Sequence, residues 1–344
     1  MTSSTGISVA ESIPDAPPPR GAGWLRTHGL QLGVAAAFVI LIAIFCIEQP
    51  HTFPTWDNVR YIANSSVTYL IFGALVTAVL IVGEFDLAFP YVADLTTVVV
   101  GVLVTTGGLS SSGGIVLAIV IGLALGAVAG IVSGIFISGG RIPSFVVTLA
   151  VGSIAGGLQL AVQGKIPDSA VDISALSVPA GIRDIANTDL FGSGLLSGLL
   201  IAVVVTLIVL ALVRVTVFGR RAQATGGNPG AAFLASVPVG RVRIVIFVIA
   251  GLLAALAGIV ALGTSGYYYG ESTPYLLQVY TAAFLGRAVY KAHNFTVTGT
   301  VLAIVFLQTL SNGLNLMNEP TWIVSVISGV VLLSAVAMTI GRRR

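Results

Sequence analysis

Long apolar runs separated by short polar breaks dominate the pattern of hydrophobic and polar positions along the chain. The runs predict ten helices, at residues 29–47, 62–82, 88–106, 114–138, 143–163, 195–217, 243–263, 276–289, 295–312 and 321–340. An apolar run of about 20 residues is long enough to cross the ~30 Å hydrocarbon core of a bilayer as a helix. The pattern therefore predicts an all-α polytopic membrane protein with about ten transmembrane helices.

The amino-acid composition agrees with a membrane protein and excludes a soluble globular protein. Of the 344 residues, 56% are hydrophobic and only 8% are charged, whereas soluble domains carry about 25% charged residues. The single cysteine, Cys46, excludes an internal disulfide. The three histidines, His28, His51 and His293, lie far apart in sequence without the spacing of metal ligands, so we expect no metal site.

The basic residues orient the predicted helices, because loops rich in Lys and Arg stay on the cytoplasmic side of the membrane. With the N-terminus inside and ten alternating spans, only Arg60, Lys165 and Arg183 of the 16 basic residues fall outside. Both termini are therefore predicted to be cytoplasmic. In this topology the polar loop 218–243 is cytoplasmic, and the loop 164–193 is extracytoplasmic.

Both ends of the chain lie outside the predicted transmembrane domain, residues 29–340. Residues 1–28 start with a polar, proline-rich sequence and are predicted to be a disordered cytoplasmic tail. A signal peptide would begin with basic residues, but the first base is Arg20, so we interpret the first apolar run as a retained anchor. Residues 341–344 are a basic cytoplasmic C-terminus.

The sequence contains no nucleotide-binding motif. A phosphate-binding loop requires G-x-x-x-x-G-K-[ST], and "QGKI" at residues 163–166 lacks the hydroxyl residue and has Gln159 in place of the upstream glycine. We therefore expect no catalytic residue and no bound cofactor in this chain, and any ATP that drives it is hydrolysed by another subunit. The alternative energy source is an ion gradient, for which buried ionisable residues would be expected.

Three acidic residues, Glu84, Asp86 and Asp94, cluster in "GEFDLAFPYVAD". One interpretation is a junction between two spans, with Asp86 capping the third helix and Pro90 in its first turn. The other interpretation places the carboxylates in a translocation path, where they accept hydrogen bonds from a polyhydroxylated substrate. The spacing leaves both interpretations open.

Two further pairs of residues are candidates for a substrate path. Asn312 and Asn315 are three residues apart and share a helix face, and their amides, at the end of an apolar span, need hydrogen-bond partners. Phe145 and Thr148 have the same spacing, just after a turn on the predicted cytoplasmic side. Structural ties between helices remain the alternative role for these residues and for the acidic cluster.

Glycines at steps of four form a ridge on the fourth predicted helix, at Gly122, Gly126, Gly130 and Gly134. Such a ridge lets another backbone approach closely. The pattern favours a packing surface, with a pore-lining surface as the alternative.

The cytoplasmic loop 218–243 combines flanking arginines with an interior of small and apolar residues. "TGGNPG" predicts a turn, and "AAFLAS" predicts a short surface helix after it. Phe233 and Leu234 are apolar in an aqueous-side loop, and such exposure marks an interface. The arginines are interpreted as orienting residues that contact lipid headgroups, so the interior of the loop is the predicted recognition surface.

Four stretches of the sequence resemble the membrane subunits of bacterial ABC importers of the ribose and simple-sugar type, within the branched-chain amino acid permease superfamily. They are "GEFDLAFPYVADLT", "IPSFVVTLAVGSIAGGL", "ATGGNPGAAFLASVPVGRVRIVIFVIAGLLAALAGIV" and "TLSNGLNLM". Their order and spacing extend the resemblance over residues 29–340. The chain departs from the family's pattern after "GGN", where Pro229 stands in place of an acidic residue.

The resemblance implies a type II importer in the bacterial plasma membrane, without nucleic acid as a partner. Two permease subunits, identical or different, would work with two ATPase subunits, and an extracytoplasmic binding protein would deliver a sugar or related polyhydroxylated molecule. The residues implied in ATPase coupling are Gly226, Gly227, Asn228, Ala231, Ala232, Phe233 and Leu234. The sequence features described above predict that Glu84, Asp86, Phe145, Thr148, Asn312 and Asn315 lie near the substrate path. The alternatives from other classes are an ion-coupled secondary transporter without an ATPase and a passive channel.

Overall fold

The computed structural model describes residues 20–140, 142–164, 178–265, 272–290 and 295–340, which form helices joined by loops. In chain order the helices are α1 (Arg20–Glu48), α2 (Trp56–Ser65), α3 (Val67–Ile81), α4 (Phe89–Thr105), α5 (Ser112–Gly140), α6 (Ser144–Gln163), α7 (Ala180–Asn187), α8 (Ser197–Val215), α9 (Val217–Gly227), α10 (Pro229–Leu234), α11 (Val239–Ser265), α12 (Tyr275–Tyr290), α13 (Val297–Leu316) and α14 (Thr321–Ile340). The described residues contain no strand, and an isolated bridge joins Asp189 to Leu196. The all-α fold class is therefore confirmed.

Nine of the ten predicted apolar runs each coincide with one helix, and α7, α9 and α10 are further short helices in polar segments. Among the described residues, α5, α6, α8, α11 and α13 are individually long and apolar enough to span a bilayer. The run 62–82 is divided between α2 and α3, which are bent by 42° at the break and together make a sixth candidate span. The apolar parts of α1, α4 and α14 are shorter.

The boundaries of the terminal segments differ from the prediction where the structure describes them. Helix α1 begins at Arg20, so residues 20–28, which the sequence assigned to a disordered tail, are helical. No proline follows Arg20 until Pro50, and nothing in residues 20–28 therefore interrupts the helix. The remainder of the predicted tail, the predicted basic C-terminus and residues 165–177 of the predicted loop lie outside the described residues.

Helices α3, α4 and α11 form the interior of the bundle. Nearly every residue of α3 is buried, and α11 packs against α3, α4, α5 and α7. The outer helices α5, α6 and α8 instead expose large apolar side chains, such as Val120, Leu158 and Leu207. A fully apolar helix belongs inside a protein or in lipid, so this distribution is that of a bundle whose outer helices face hydrocarbon.

The glycine ridge of α5 packs directly against the backbone of α11. A Cβ atom added at Gly126 would collide with the carbonyl oxygen of Gly251, and one at Gly130 would collide with that of Phe247. Because lipid supplies little hydrophobic drive between helices, close backbone contact of this kind is a main source of their association. The packing interpretation of the ridge is therefore the one that the structure supports.

We predict that Gly126→Ala and Gly130→Ala each destabilise the protein by about 1–3 kcal/mol, the usual cost of overpacking a close contact. Gly139→Ala is the control on the same helix, because an added Cβ there meets no atom within 4 Å. At that open helical position alanine should stabilise by about 0.5–1 kcal/mol. Thermal unfolding of the purified protein in detergent measures all three variants, and equal unfolding temperatures would contradict the tight contact.

Candidate functional site

A polar cavity opens at the end of the bundle where α7 lies, which we call the α7 end. Its volume is about 320 Å³, within the range of pockets that hold small ligands. Helices α2, α3, α11, α12 and α13 supply its lining residues, which are Tyr61, Asn64, Ser65, Val67, Thr68, Tyr69, Thr264, Tyr275, Gln308, Ser311, Asn312 and Asn315. All of these except Val67 carry a hydroxyl or an amide, and none is charged.

The break between α2 and α3 shapes one wall of this cavity. Asn64, near the end of α2, donates from its amide to the carbonyl of Gly194 at 3.1 Å and accepts from the backbone N–H of Leu196 at 3.0 Å. These bonds tie the cavity wall to the turn that precedes α8. Tyr69 and Tyr275 also line the cavity, and their ring centroids lie 4.5 Å apart.

Asn312 and Asn315 both line the cavity, but their environments differ. Asn312 is buried, and its amide nitrogen donates to Oδ1 of Asn58 at 2.6 Å. Asn58 in turn donates to the carbonyl of Phe53 at 2.9 Å. Asn315 is exposed to the cavity. Asn312 thus ties α13 to α2, whereas Asn315 presents its amide to the cavity.

The neutral lining limits the chemistry of a ligand. Hydroxyls and amides supply both donors and acceptors, which suits a neutral molecule with several hydroxyl groups. A charged ligand that moved from water into the cavity would find no counter-ion among these lining residues. Transfer of an unpaired charge out of water is costly in free energy. The described part of the lining therefore suits a neutral, polar molecule of small size.

Glu84 and Asp86 lie at the opposite end of the bundle, which carries α10 and which we call the α10 end. The Glu84 carboxylate forms an ion pair with Arg243 of α11 at 2.7 Å. Asp86 is buried and accepts a hydrogen bond from the backbone N–H of Ala88 at 2.8 Å, just before α4. Burial raises the pKa of Asp86 to about 6, and the bond from Ala88 acts in the opposite direction. Both carboxylates lie at the junction between α3 and α4, as in the first interpretation of the sequence, but the N-cap residue of α4 is Ala88 and not Asp86.

Side chains of α6 and α12 hold the backbone of this junction. The hydroxyl of Ser144 accepts from the backbone N–H of Phe85 at 2.9 Å, and that of Thr148 accepts from Leu87 at 3.1 Å. The hydroxyl of Tyr280 binds the residue between Phe85 and Leu87. It accepts from the backbone N–H of that residue at 3.1 Å and donates to its carbonyl at 2.8 Å. Thr148 is therefore engaged in structure, like the carboxylates beside it.

Helix α9 packs onto the same junction through two glycines. Gly83 adopts φ +84°, a left-handed conformation that favours glycine, and a Cβ added there would lie 3.4 Å from Cα of Gly226. A Cβ added at Gly226 would collide with the carbonyl oxygen of Ile81. Side chains at either position would separate α9 from the end of α3.

The six predicted path residues thus fall into two groups. Asn312 and Asn315 lie at the cavity, and Glu84, Asp86 and Thr148 lie around the junction at the α10 end. Helix α3 connects the two places, with its 15 residues spanning about 22 Å. Phe145, also at the α10 end, is half-exposed on the outside of α6.

The predicted coupling residues divide by exposure. Phe233 and Leu234 are 72% and 86% exposed on α10, and Gly227, Asn228 and Ala231 are also exposed. Asn228 caps α10, since its side chain accepts from the backbone N–H of Ala231 at 3.0 Å. Ala232 is buried, and Gly226 faces α3. The predicted short helix is present, but the predicted turn "TGGNPG" is partly helical because α9 continues to Gly227.

Sequence reasoning missed most of the residues that build these two places. Tyr69, Tyr275 and Gln308 line the cavity from three different helices, and no sequence spacing relates them. One signal was available on α13, because Gln308 lies four residues before Asn312 and so shares its face. Arg243 and Tyr280 are far in sequence from their partners in the junction.

These features define a multi-pass membrane protein with a polar cavity at one end, which is the architecture of a solute permease. Residues 58–336 match the family described as branched-chain amino acid transport system / permease component. The chain belongs to this family.

Individual relatives cover nearly the whole chain. It is 31% identical to the ribose import permease protein of Bacillus subtilis over 316 residues, 90% of this chain and 92% of that protein. It is 28% identical to the L-arabinose ABC transporter permease protein of Azospirillum brasilense, over 94% and 91% of the two chains. It is 27% identical to the autoinducer 2 import system permease protein of Photorhabdus laumondii, over 90% and 91%. No solved structure matches the chain significantly.

We predict that the two cavity asparagines respond differently to alanine. Asn312→Ala removes the partner of a buried amide and should destabilise the protein by about 1–3 kcal/mol, measured by thermal unfolding. Asn315→Ala should leave the unfolding temperature unchanged and alter transport per assembled complex. The assignment fails if both variants unfold at the same temperature, or if transport by Asn315→Ala changes only in proportion to the amount of protein.

Proposed function

We propose that this chain is the permease subunit of an ABC importer that carries a simple sugar or a related polyhydroxylated small molecule across a bacterial plasma membrane. The observation that carries the proposal is the neutral cavity at the α7 end, whose hydroxyls and amides match the hydrogen-bonding groups of such a substrate. Two of the relatives are named for import of ribose and transport of L-arabinose. The chain itself has no phosphate-binding loop, so ATP hydrolysis is assigned to a separate subunit.

In this proposal the chain crosses the membrane ten times, in a type II importer architecture with both termini cytoplasmic. The ten apolar runs support this count, because nine coincide with one helix each and the tenth, 62–82, is shared by the bent pair α2 and α3. The charge distribution supports the orientation, because the α10 end carries Arg214, Arg220, Arg221, Arg241 and Arg243. The α10 end would face the cytoplasm and the cavity would face outward.

Helix α10 is the proposed docking site for the ATPase subunit. Phe233 and Leu234 are exposed side by side on it, in a segment that the topology places in water, and an exposed apolar pair of this kind indicates an interface. Its neighbour α9 contacts the α3–α4 junction through Gly226. A movement of α10 would therefore be transmitted to the acidic junction through a single helix, α9.

The turn before α8 is the proposed docking site for the extracytoplasmic binding protein. Phe191 is fully exposed at its tip with φ 59°, an uncommon conformation for a bulky residue. Arg60 donates to the carbonyl of Ser193 at 3.1 Å, and Asn64 bonds to the same turn while also lining the cavity. A binding protein seated on Phe191 would thus contact a segment that is fixed to the cavity wall. A second permease subunit, identical or homologous, would complete the path.

Transport into membrane vesicles tests the proposed function. Uptake of a labelled sugar by vesicles that contain the permease and its ATPase should require both ATP and the soluble binding protein. A protonophore that collapses the ion gradient should leave this uptake intact. Uptake that proceeds without ATP and stops with the protonophore would instead identify an ion-coupled carrier.

We predict that Phe233→Asp and Leu234→Asp each uncouple ATP hydrolysis from uptake, because a carboxylate cannot enter an apolar interface without a partner. Sugar-dependent stimulation of the ATPase should be lost while the amount of permease in the membrane stays unchanged. Phe233→Leu keeps an apolar side chain and is the control that should retain coupling. Normal uptake and stimulation in both Asp variants would remove α10 from the docking site.

A further inference from the structure

A second cavity, apolar and open to the outside, lies between α8 and α13. Its volume is about 370 Å³, and its lining residues include Leu70, Val203, Leu207, Leu210, Val301 and Leu302. Leu207 and Leu302 are each 56% exposed. Both helices are long and apolar enough to span a bilayer, so the groove faces the hydrocarbon in which these helices lie.

One end of this groove carries a positive charge. Arg214, in the last turn of α8, donates from Nη2 to Oγ1 of Thr298 at 3.1 Å, and Thr298 also lines the groove. Arg220 of α9 donates to the carbonyl of Val215 at 3.4 Å, which brings a second guanidinium to the same end. Both arginines are exposed.

The helices that border the groove supply no acidic side chain to balance these two arginines. Helices α3, α8, α9 and α13 contain no Asp or Glu, and neither arginine forms an ion pair with another described residue. Within the part of the chain that the structure describes, the apolar groove therefore ends in a positive site without a paired acid. An occupant that matches both parts has an apolar chain and an anionic head.

The length of the groove matches one leaflet of a bilayer. Val203 lies eleven residues before Arg214 (214 − 203), which is about 16 Å along a helix. Half of a ~30 Å hydrocarbon core is about 15 Å. A chain that starts at the level of Arg214 and follows the groove to Val203 would therefore cross a single leaflet.

We propose that this groove binds an anionic phospholipid, with one acyl chain against Leu207 and Leu302 and its phosphate at Arg214. Basic sites at the ends of grooves between transmembrane helices bind anionic headgroups, and a guanidinium matches the geometry of a phosphate. The site is distinct from the polar cavity, and the proposal does not depend on which solute the protein carries.

Native mass spectrometry of the purified full chain tests the headgroup part of this proposal. The protein is titrated with dioleoylphosphatidylglycerol or with dioleoylphosphatidylcholine, which share acyl chains and differ in net charge. The anionic lipid should bind more tightly, and Arg214→Gln should weaken it about fivefold, as expected for one basic residue near an anionic headgroup. Arg183→Gln, at an exposed position of α7, is the control and should leave both affinities unchanged.

A groove variant tests the acyl-chain part. Leu207→Trp fills the groove without touching the arginines and should weaken the binding of both lipids. Equal affinity of the unchanged protein for the two lipids would overturn the proposal, as would unchanged binding of the anionic lipid in both variants. Leu207→Cys in a Cys46→Ser background tests the other occupant, a second copy of the chain. A disulfide between two chains at this position that added lipid does not suppress would identify the groove as an interface between copies and overturn lipid binding.

Discussion

The irregular segment between α3 and α4, residues 82–88, is the constraint on which the α10 end of the bundle depends. An irregular backbone cannot satisfy its own N–H and C=O groups, and a buried group left without a partner costs about 1–3 kcal/mol. Here α6 and α12 supply hydroxyls such as that of Tyr280, α11 supplies the guanidinium of Arg243, and α9 contributes the contact at Gly226. Four helices therefore contact this one short segment. None of them can move at this end of the bundle without changing its contacts with the segment.

Helix α3 extends this constraint to the cavity. It begins with Val67 and Thr68 in the cavity lining and ends at the fastened segment. Because its side chains are buried on all sides, α3 has little freedom to deform alone and would transmit a displacement as a rigid rod. The break at Ser66 is the point where such a displacement can be absorbed, since α2 beyond it is held separately through Asn58 and Asn64. Under the proposed function, docking at α10 and opening of the cavity would be connected by this one helix.

The sequence predicted the helices well and the sites only in part, for a physical reason. Apolar runs report burial or lipid contact residue by residue, so the pattern located a helix in each of ten places, and the small residues of α5 indicated a packing surface. Contacts between distant segments produce no such pattern in the sequence. The pairing of Glu84 with Arg243, and the contact of Tyr69 with Tyr275, depend on how helices cross. The sequence therefore grouped the six path residues together, although they lie at opposite ends of the bundle. The resemblance to importer permeases supplied the proposed function, which the spacing of residues alone had left open.

The two ends of the protein also differ in their polar side chains, which are charged at the α10 end and neutral around the cavity. Ionised side chains are expensive within a bilayer, at about 2.5–3.5 kcal/mol for an unpaired charge near its centre. At the α10 end, Glu84 is paired with Arg243 and the buried Asp86 accepts a backbone hydrogen bond. The described residues that line the cavity are neutral, and all of them except Val67 carry a hydroxyl or an amide. A neutral lining can exchange hydrogen bonds with a polyhydroxylated solute but offers an ion no compensation for its lost hydration. Under the proposed function, these neutral side chains of the described lining would favour passage of a sugar and would oppose leakage of ions.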